Sequence, residues 1–280
     1  VKSSLLIISL CVQAALAQTK SDSTWFFETP KFEFPDKPTV GLSYGFTRHS
    51  LNGLNESFAR PRLTEVKLGF SESKMVDKIA RILKRDFHYA ALSIVSTDIG
   101  GRSAAGEINS KLIRIGLAWD KGYGYELGSS SINSYHVFGL HWSALTVEGG
   151  GLSTADSVLL SPFDGTIRFG TKTEGGIRFV IVPMVSVDVG YERAIIMPKH
   201  LFLKWAASTI LEGISYGMLD RFIDRIMDSS PQVVPVAHLV LKNALSYGLY
   251  ELRRNRMNWP FDSDPPIVSD SYKFGLTFVF

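Results

Sequence analysis

Ser271-Tyr-Lys-Phe-Gly-Leu-Thr-Phe-Val-Phe280 is the stretch that decides the fold class. Side chains along a β-strand leave on alternate sides, so residues two apart share a face. Tyr272, Phe274, Leu276, Phe278 and Phe280 therefore line one face; Lys273, Gly275 and Thr277 line the other, where Val279 is the only large apolar residue. A soluble sheet can alternate in this way with its apolar face turned inward. Five large apolar side chains in unbroken alternation fit better a strand whose apolar face meets lipid. The pattern recurs upstream. Val40, Leu42, Tyr44 and Phe46 alternate with Gly41, Ser43 and Gly45; Val66, Leu68 and Phe70 with Glu65, Lys67 and Gly69. Ile113, Ile115, Leu117 and Trp119 alternate with Arg114, Gly116 and Ala118, and Val185, Val187, Val189 and Tyr191 with Ser186, Asp188 and Gly190.

An apolar face opposite a small or charged one is what a narrow barrel needs when its outside meets lipid and its inside is polar. Trp119, Tyr123, Tyr125 and Trp142, near strand ends, suit interfacial girdles. The Phe280-terminated alternation resembles the C-terminal signal of bacterial outer-membrane barrels, without pointing to a specific family. The resemblance implies an antiparallel transmembrane barrel in the cell outer membrane of a Gram-negative bacterium. It also implies that the barrel-assembly machinery recognises the last strand through Tyr272, Phe274, Leu276, Phe278 and Phe280.

Counting segments gives about ten strands: 39–47, 62–71, 87–97, 110–119, 123–129, 134–145, 165–172, 176–182, 185–196 and 271–280. Asp120-Lys-Gly122 and Thr173-Glu-Gly-Gly176 read as turns, and Val182-Pro-Met184 leaves room only for a short one. An even number returns both ends to the periplasm, so eight is the alternative, with 87–97 and 123–129 then being something else.

The first residues read as a cleaved secretory signal, 1–17. Lys2 is the positive region, Leu5 to Leu16 the apolar stretch, and Ala15-Leu16-Ala17 the small-x-small site before Gln18. Residues 18–38, with Trp25, Phe26, Phe27 and Phe32 among prolines, form an N-terminal arm, and 39–280 the barrel. The single cysteine, Cys11, falls in the signal, which excludes a disulfide framework and a thiolate metal site from the mature chain. A net charge of +3 without a dense basic cluster excludes a nucleic-acid surface. Lys78-Ile-Ala-Arg-Ile-Leu-Lys-Arg85 reads instead as one face of a solvated or membrane-surface helix.

Between Pro198 and Pro260 the period changes. Ile210, Leu211, Ile214, Met218, Phe222 and Ile226 recur at helical steps, as do Leu241, Leu245, Leu249 and Leu252, and Pro231 and Pro235 mark a break between the two runs. The reading is an antiparallel helical hairpin, insertion 199–258, before the last strand. Gly213, Gly217, Ala244 and Gly248 would let its helices approach closely. The pair is too apolar to stand alone in water, so it must plug the lumen, lie on the outer leaflet or meet a partner. A lumen lined by Arg114, Arg168, Arg178, Asp188 and Glu192 has little room for two helices, which favours docking at the barrel rim.

Few motifs carry chemistry. Gly41-Leu-Ser43-Tyr-Gly45 and Gly213-Ile-Ser215-Tyr-Gly217 match a nucleophile elbow, but they lie mid-strand and mid-helix rather than at a strand–turn–helix junction. His136 and His141 point to opposite faces of one strand, and no metal or cofactor site is readable. His141 and Ser143 share a face, so the imidazole could activate the hydroxyl, with Asp156 or Glu148 as the orienting third member. The His141-Trp-Ser143 arrangement resembles outer-membrane phospholipases and lipid A deacylases, whose active sites face lipid. Ala144 stands where those families have Asn.

Three roles follow. The first is a non-enzymatic outer-membrane barrel with a structural or partner-binding role through its helical insertion, in contact with outer-membrane lipid. The alternatives are a lipid hydrolase using His141 and Ser143, and a small channel or transporter of hydrophobic solutes.

Overall fold

The computed structural model describes residues 37–148 and 152–280; the expected signal 1–17, its Ala17–Gln18 junction and the arm up to residue 36 lie outside the described residues. Eight strands, β1 (Lys37–Leu51), β2 (Arg62–Asp77), β3 (Ile82–Ser96), β4 (Asn109–Leu127), β5 (Ser130–Glu148), β6 (Ile167–Val182), β7 (Val185–Ile196) and β8 (Ile267–Val279), close in sequence order into an antiparallel barrel. β8 pairs with β1, so no sheet edge is left open. Stepping round the hydrogen-bonded register from Lys37 leads through Ser71, Phe87, Asp120, Val137, Glu174, Glu192 and Ser271 to Thr47, so the stagger is 47 − 37 = 10 residues. Such a stagger tilts the strands and leaves an interior that side chains can fill.

The strand count is eight rather than ten, because two expected turns are strand interior. Asp120-Lys-Gly122 lies within β4 and Thr173-Glu-Gly-Gly176 within β6, merging 110–119 with 123–129 and 165–172 with 176–182. Segment 87–97 is a true strand, part of β3. The glycines serve close approach instead of chain reversal. A Cβ at Gly176 would lie 2.7 Å from the Tyr135 hydroxyl, and one at Gly190 only 2.2 Å from it. Tyr135 reaches across these two strands to donate to Glu174 at 2.9 Å. Val182-Pro-Met184 does make the tight β6–β7 connection. Lys78–Arg85 is not a helix: it is the β2–β3 turn, with Arg81 at φ 54°, running into β3.

Ion pairs across the barrel fix which face is inside. Lys172 of β6 reaches Glu65 of β2 at 2.9 Å, and Arg114 of β4 reaches Glu192 of β7 at 2.7 Å. Alternation then places Leu42, Tyr44, Leu68, Ile115, Phe274 and Leu276 outside, where they are exposed.

The interior is filled in layers. Nearest the strand termini, Arg178 bridges Asp120 and Asp188, both at 2.7 Å, and Thr277 donates to Asp188 at 2.8 Å. Next come Lys67, Lys172 and Lys273 among Glu65, Glu174 and Glu192. The far end is stoppered by an apolar cluster that includes Leu51, Phe58, Leu63, Leu112, Leu145, Phe163, Ile196 and Ile267. Long connections sit at this far end, including α1 (Thr154–Leu160) between β5 and β6. Between β7 and β8 come α2 (Phe202–Ser229), a 3-10 turn (Pro231–Val233) and α3 (Val234–Arg253).

Candidate functional site

The inserted hairpin neither plugs the lumen nor stops at the rim; it lies along the outside of the barrel wall. Residues Thr171 to Gly175 are all buried, although Lys172 and Glu174 point inward and Thr171, Thr173 and Gly175 outward. Only a second layer outside the wall can cover the latter three. That layer is α3. Ser246 donates to Thr173 at 2.8 Å, Arg253 approaches Thr171 at 3.4 Å, and Asn243 sits where a Cβ on Gly175 would lie 1.9 Å from its Oδ1. Farther along, the His238 ring packs edge-on to Tyr123 at 5.3 Å, and its Nδ1 is 3.2 Å from the Ser134 hydroxyl. At the hairpin tip the Tyr125 hydroxyl donates to the Gln232 carbonyl. Tyr125 is two residues from the end of β4, so α3 runs the height of the wall. α2 packs on α3 and meets the wall through aromatics, with Phe169 5.4 Å from Trp205 and His136 5.4 Å from Tyr216.

The polarity of both helices is inverted relative to a helix of a soluble protein. On α3 the buried residues include His238, Lys242, Ser246, Tyr250 and Arg253, at three- and four-residue steps, whereas Val236, Val240 and Leu252 are exposed. On α2, Ser208, Glu212 and Ile223 are buried while Leu203, Ile210, Leu211, Ile214, Met218 and Phe222 are exposed; apart from Lys204, its exposed charges, Arg221, Asp224, Arg225 and Asp228, gather in the last turns toward the hairpin tip. The polar groups meet one another in the seam between helices and wall. Arg253 binds Glu212 at 3.0 Å, and Lys242 pairs with Asp220. Gly213, Gly217 and Gly248 are not at the helix–helix contact; a Cβ on each would meet open space.

Of the residues singled out from sequence, His141 and Ser143 both face the interior and are 2% exposed, away from the outer surface that lipid would reach. Ser143 donates to the Arg168 carbonyl at 3.3 Å, and neither ring nitrogen of His141 has a side-chain partner. Asp156 is elsewhere, at the start of α1, where it accepts from the backbone and side-chain amides of Asn55 at 3.0 and 3.2 Å. Glu148 is exposed. The three do not form a relay. Ser215 donates to the Leu211 carbonyl one turn back, as a helical serine does, and Ser43 lies within β1.

Glu65, Glu174 and Glu192 offer oxygens within 4.8 Å of one another, a spacing that could hold a metal ion. The Lys273 ammonium sits among them at 2.6, 2.8 and 3.0 Å and takes the place a cation would occupy. This cluster is therefore an internal ion-pair network.

Sequence reading missed the seam residues Ser134, His136, Thr171, Thr173 and Arg193, yet a signal was present. Each occupies an outward position in a strand whose other outward residues, such as Phe138, Leu140, Phe179 and Val189, are apolar. The four-residue steps from His238 to Tyr250 were the matching signal on the helix.

Several solved structures are similar to this chain. Neisserial surface protein A (NspA) aligns over 87% of this chain and 97% of its own length, at 11% identity and a TM-score of 0.41. Ail, the attachment invasion locus protein of Yersinia pestis, aligns over 88% and 99%, at 8% identity and 0.33. The outer membrane enzyme PagL aligns over 86% and 98%, at 11% identity and 0.35. No family model matches the chain, and no curated protein matches it. With scores this low, what the barrel does has to be read from its own side chains.

Proposed function

We propose that this chain is an outer-membrane barrel with a closed interior, whose working part is the helical hairpin held in lipid against the outer wall, in a structural or partner-binding role. The observation that carries this reading is the inverted polarity of α2 and α3. In water, exposed Leu203, Met218 and Phe222 would each forgo roughly 1.5–3 kcal/mol of burial, while Glu212, Lys242 and Arg253 occupy the buried side. In lipid both choices are favourable, because apolar side chains face acyl chains and Glu212, Lys242 and Arg253 each have an ionic partner.

The apolar outer belt on β8, β1, β2 and the far half of β4 supports the same medium for the rest of the wall. Export through segment 1–17 and recognition of Tyr272, Phe274, Leu276, Phe278 and Phe280 by the assembly machinery belong to this proposal. The filled interior argues against the channel alternative. The inward, separated positions of His141, Ser143 and Asp156 argue against the hydrolase.

A photoreactive fatty-acyl probe in bilayers tests the reading. Cross-links are expected on α2 residues such as Met218 and Phe222, and on the β1–β2 belt, with the β6 wall beneath α3 protected. Cross-linking of the β6 wall with α2 left unlabelled would overturn it.

A further inference from the structure

Where the hairpin meets the wall near the far end, a cavity of about 20 Å³ opens among Thr171, Thr173, Arg193, Glu212, Ser246 and Arg253. That is room for one water or one oxygen atom of a larger group. Its lining brings two guanidinium groups and one carboxylate among hydroxyls that can donate or accept. Arg253 is 4% exposed and spends Nε on the Met257 carbonyl and Nη1 on Glu212, while its Nη2 is buried without a partner. Arg193 comes from the opposite side, on β7. Its guanidinium lies 4.9 Å from the Tyr191 ring and 5.3 Å from the Tyr247 ring, and its Nε and Nη1 are also buried without partners. Asp270, the cross-strand neighbour of Arg193, lies near the Tyr191 and Tyr250 hydroxyls and is not part of the cavity lining. Glu212 alone supplies a carboxylate to the cavity, and it is already taken by Arg253. Two guanidinium groups, three of whose nitrogens are buried without a partner, thus line one space among hydroxyls. A buried cation left in this state calls for an anion that only accepts.

The depth of the cavity narrows the choice of anion. Thr171 is four residues from the start of β6, Ile195 one from the end of β7, and Arg253 ends α3, so the cavity lies about one headgroup depth below the far end of the wall. Guanidinium pairs are matched to the bidentate oxygens of a phosphoryl group.

We infer that Arg193 and Arg253 form a clamp for a phosphoryl group, one oxygen entering the cavity and the remainder at its mouth between hairpin and wall. The ligand is then an anionic phospholipid headgroup or a free phosphate. The inference rests on the lipid-embedded placement of the hairpin proposed above.

The test uses the full chain in an uncharged maltoside detergent, with three probes: dihexanoyl phosphatidic acid, dihexanoylglycerol (the same chains without the phosphate) and inorganic phosphate. Calorimetric binding and the shift in melting temperature are the readouts. Phosphatidic acid is expected to bind and to raise the melting temperature, and dihexanoylglycerol to do neither. Arg193→Gln should weaken phosphatidic acid binding about tenfold or more while the ligand-free protein melts as the wild type does. Because Arg253→Gln also frees Glu212 and can impair folding, Arg193→Gln is the deciding variant. Comparable binding of inorganic phosphate assigns the clamp to the free anion; much weaker binding assigns it to lipid. Equal binding of the two lipids, or unchanged affinity in Arg193→Gln, overturns the inference. A nitroxide at position 218 in the same samples separates the two levels: if it reports apolar contact while phosphatidic acid binds no better than dihexanoylglycerol, only the clamp is wrong.

Discussion

Lys273 shows at the scale of one residue how the interior of this barrel is filled. Its ammonium bonds three carboxylates, Glu65, Glu174 and Glu192, each also held by another base. Removing one member of a buried network leaves uncompensated charge and costs about 3–5 kcal/mol. Lys273→Met should therefore lower the resistance of the folded barrel to urea by about that amount, and adding Glu174→Gln should restore part of it; additive losses would show that the network is not coupled. Asp156 acts at the same scale on the far-end loops. The Asn55 backbone amide, helped by hydrogen bonding from Ser153 and outweighing the opposite effect of burial, holds its carboxyl below the ordinary value of 3.8. A group whose folded pKa is depressed contributes stability above its unfolded pKa and loses it as pH falls through the folded one. Hydrogen-exchange protection at the Asn55 amide should accordingly persist from pH 7 to the ordinary carboxylate range and vanish only below it, and should be lost at every pH in Asp156→Ala. Loss of protection already near pH 6 would contradict the assigned latch.

At the scale of elements, the hairpin was legible as two helices and illegible as a wall layer. Its apolar positions repeat at helical spacing, and α2 and α3 each contain one of the two expected runs. Those positions read as a buried seam because, in water, apolar faces are the ones that pack. Lipid reverses this, and the polar face packs instead. β4 and β6 were each broken in two for a related reason: glycines that let a neighbour come close, Gly122 to the Ser134 backbone and Gly175 and Gly176 to Asn243 and Tyr135, have the composition of turns. The role of the hairpin as a wall layer can be tested by removal. Replacing 200–258 with a Gly/Ser linker would bare Ser134, His136, Thr171, Thr173 and Arg193 to acyl chains, so assembly should fall well below wild type. Changing those five to Leu or Val in the truncated chain should recover it, because an apolar wall no longer needs covering. Full assembly of the unsubstituted truncation would mean that the hairpin rests on the wall without shielding it.

At the scale of the whole molecule, the interior and the exterior take opposite solutions to the same sequence period. The last strand was read correctly because both of its faces follow the simple rule: Lys273 and Thr277 inside, Tyr272, Phe274 and Leu276 outside. The candidate site was not, because the expected site pair His141 and Ser143 lies on the inward face, while the chemistry-bearing exterior is recognisable only once the hairpin is placed. Among the described residues, layers of ion pairs beneath an apolar stopper fill the interior, so on the closed-barrel proposal planar bilayers containing the protein should show no single-channel steps above baseline; steady ion conductance would refute the closed interior.

The central claim, that the hairpin lives in lipid beside the barrel, is tested most directly by nitroxide accessibility in bilayers. The only cysteine is Cys11, so in a chain with Cys11→Ser single cysteines can be placed at 218, 208 and 78. A label at Met218 should collide with oxygen and be shielded from a water-soluble nickel relaxant. One at Ser208, buried against the Trp259 carbonyl, should be shielded from both, and one at Lys78 in the β2–β3 turn should meet nickel. A Met218 label as open to nickel as that at Lys78 would place the apolar face of α2 in water and contradict the account.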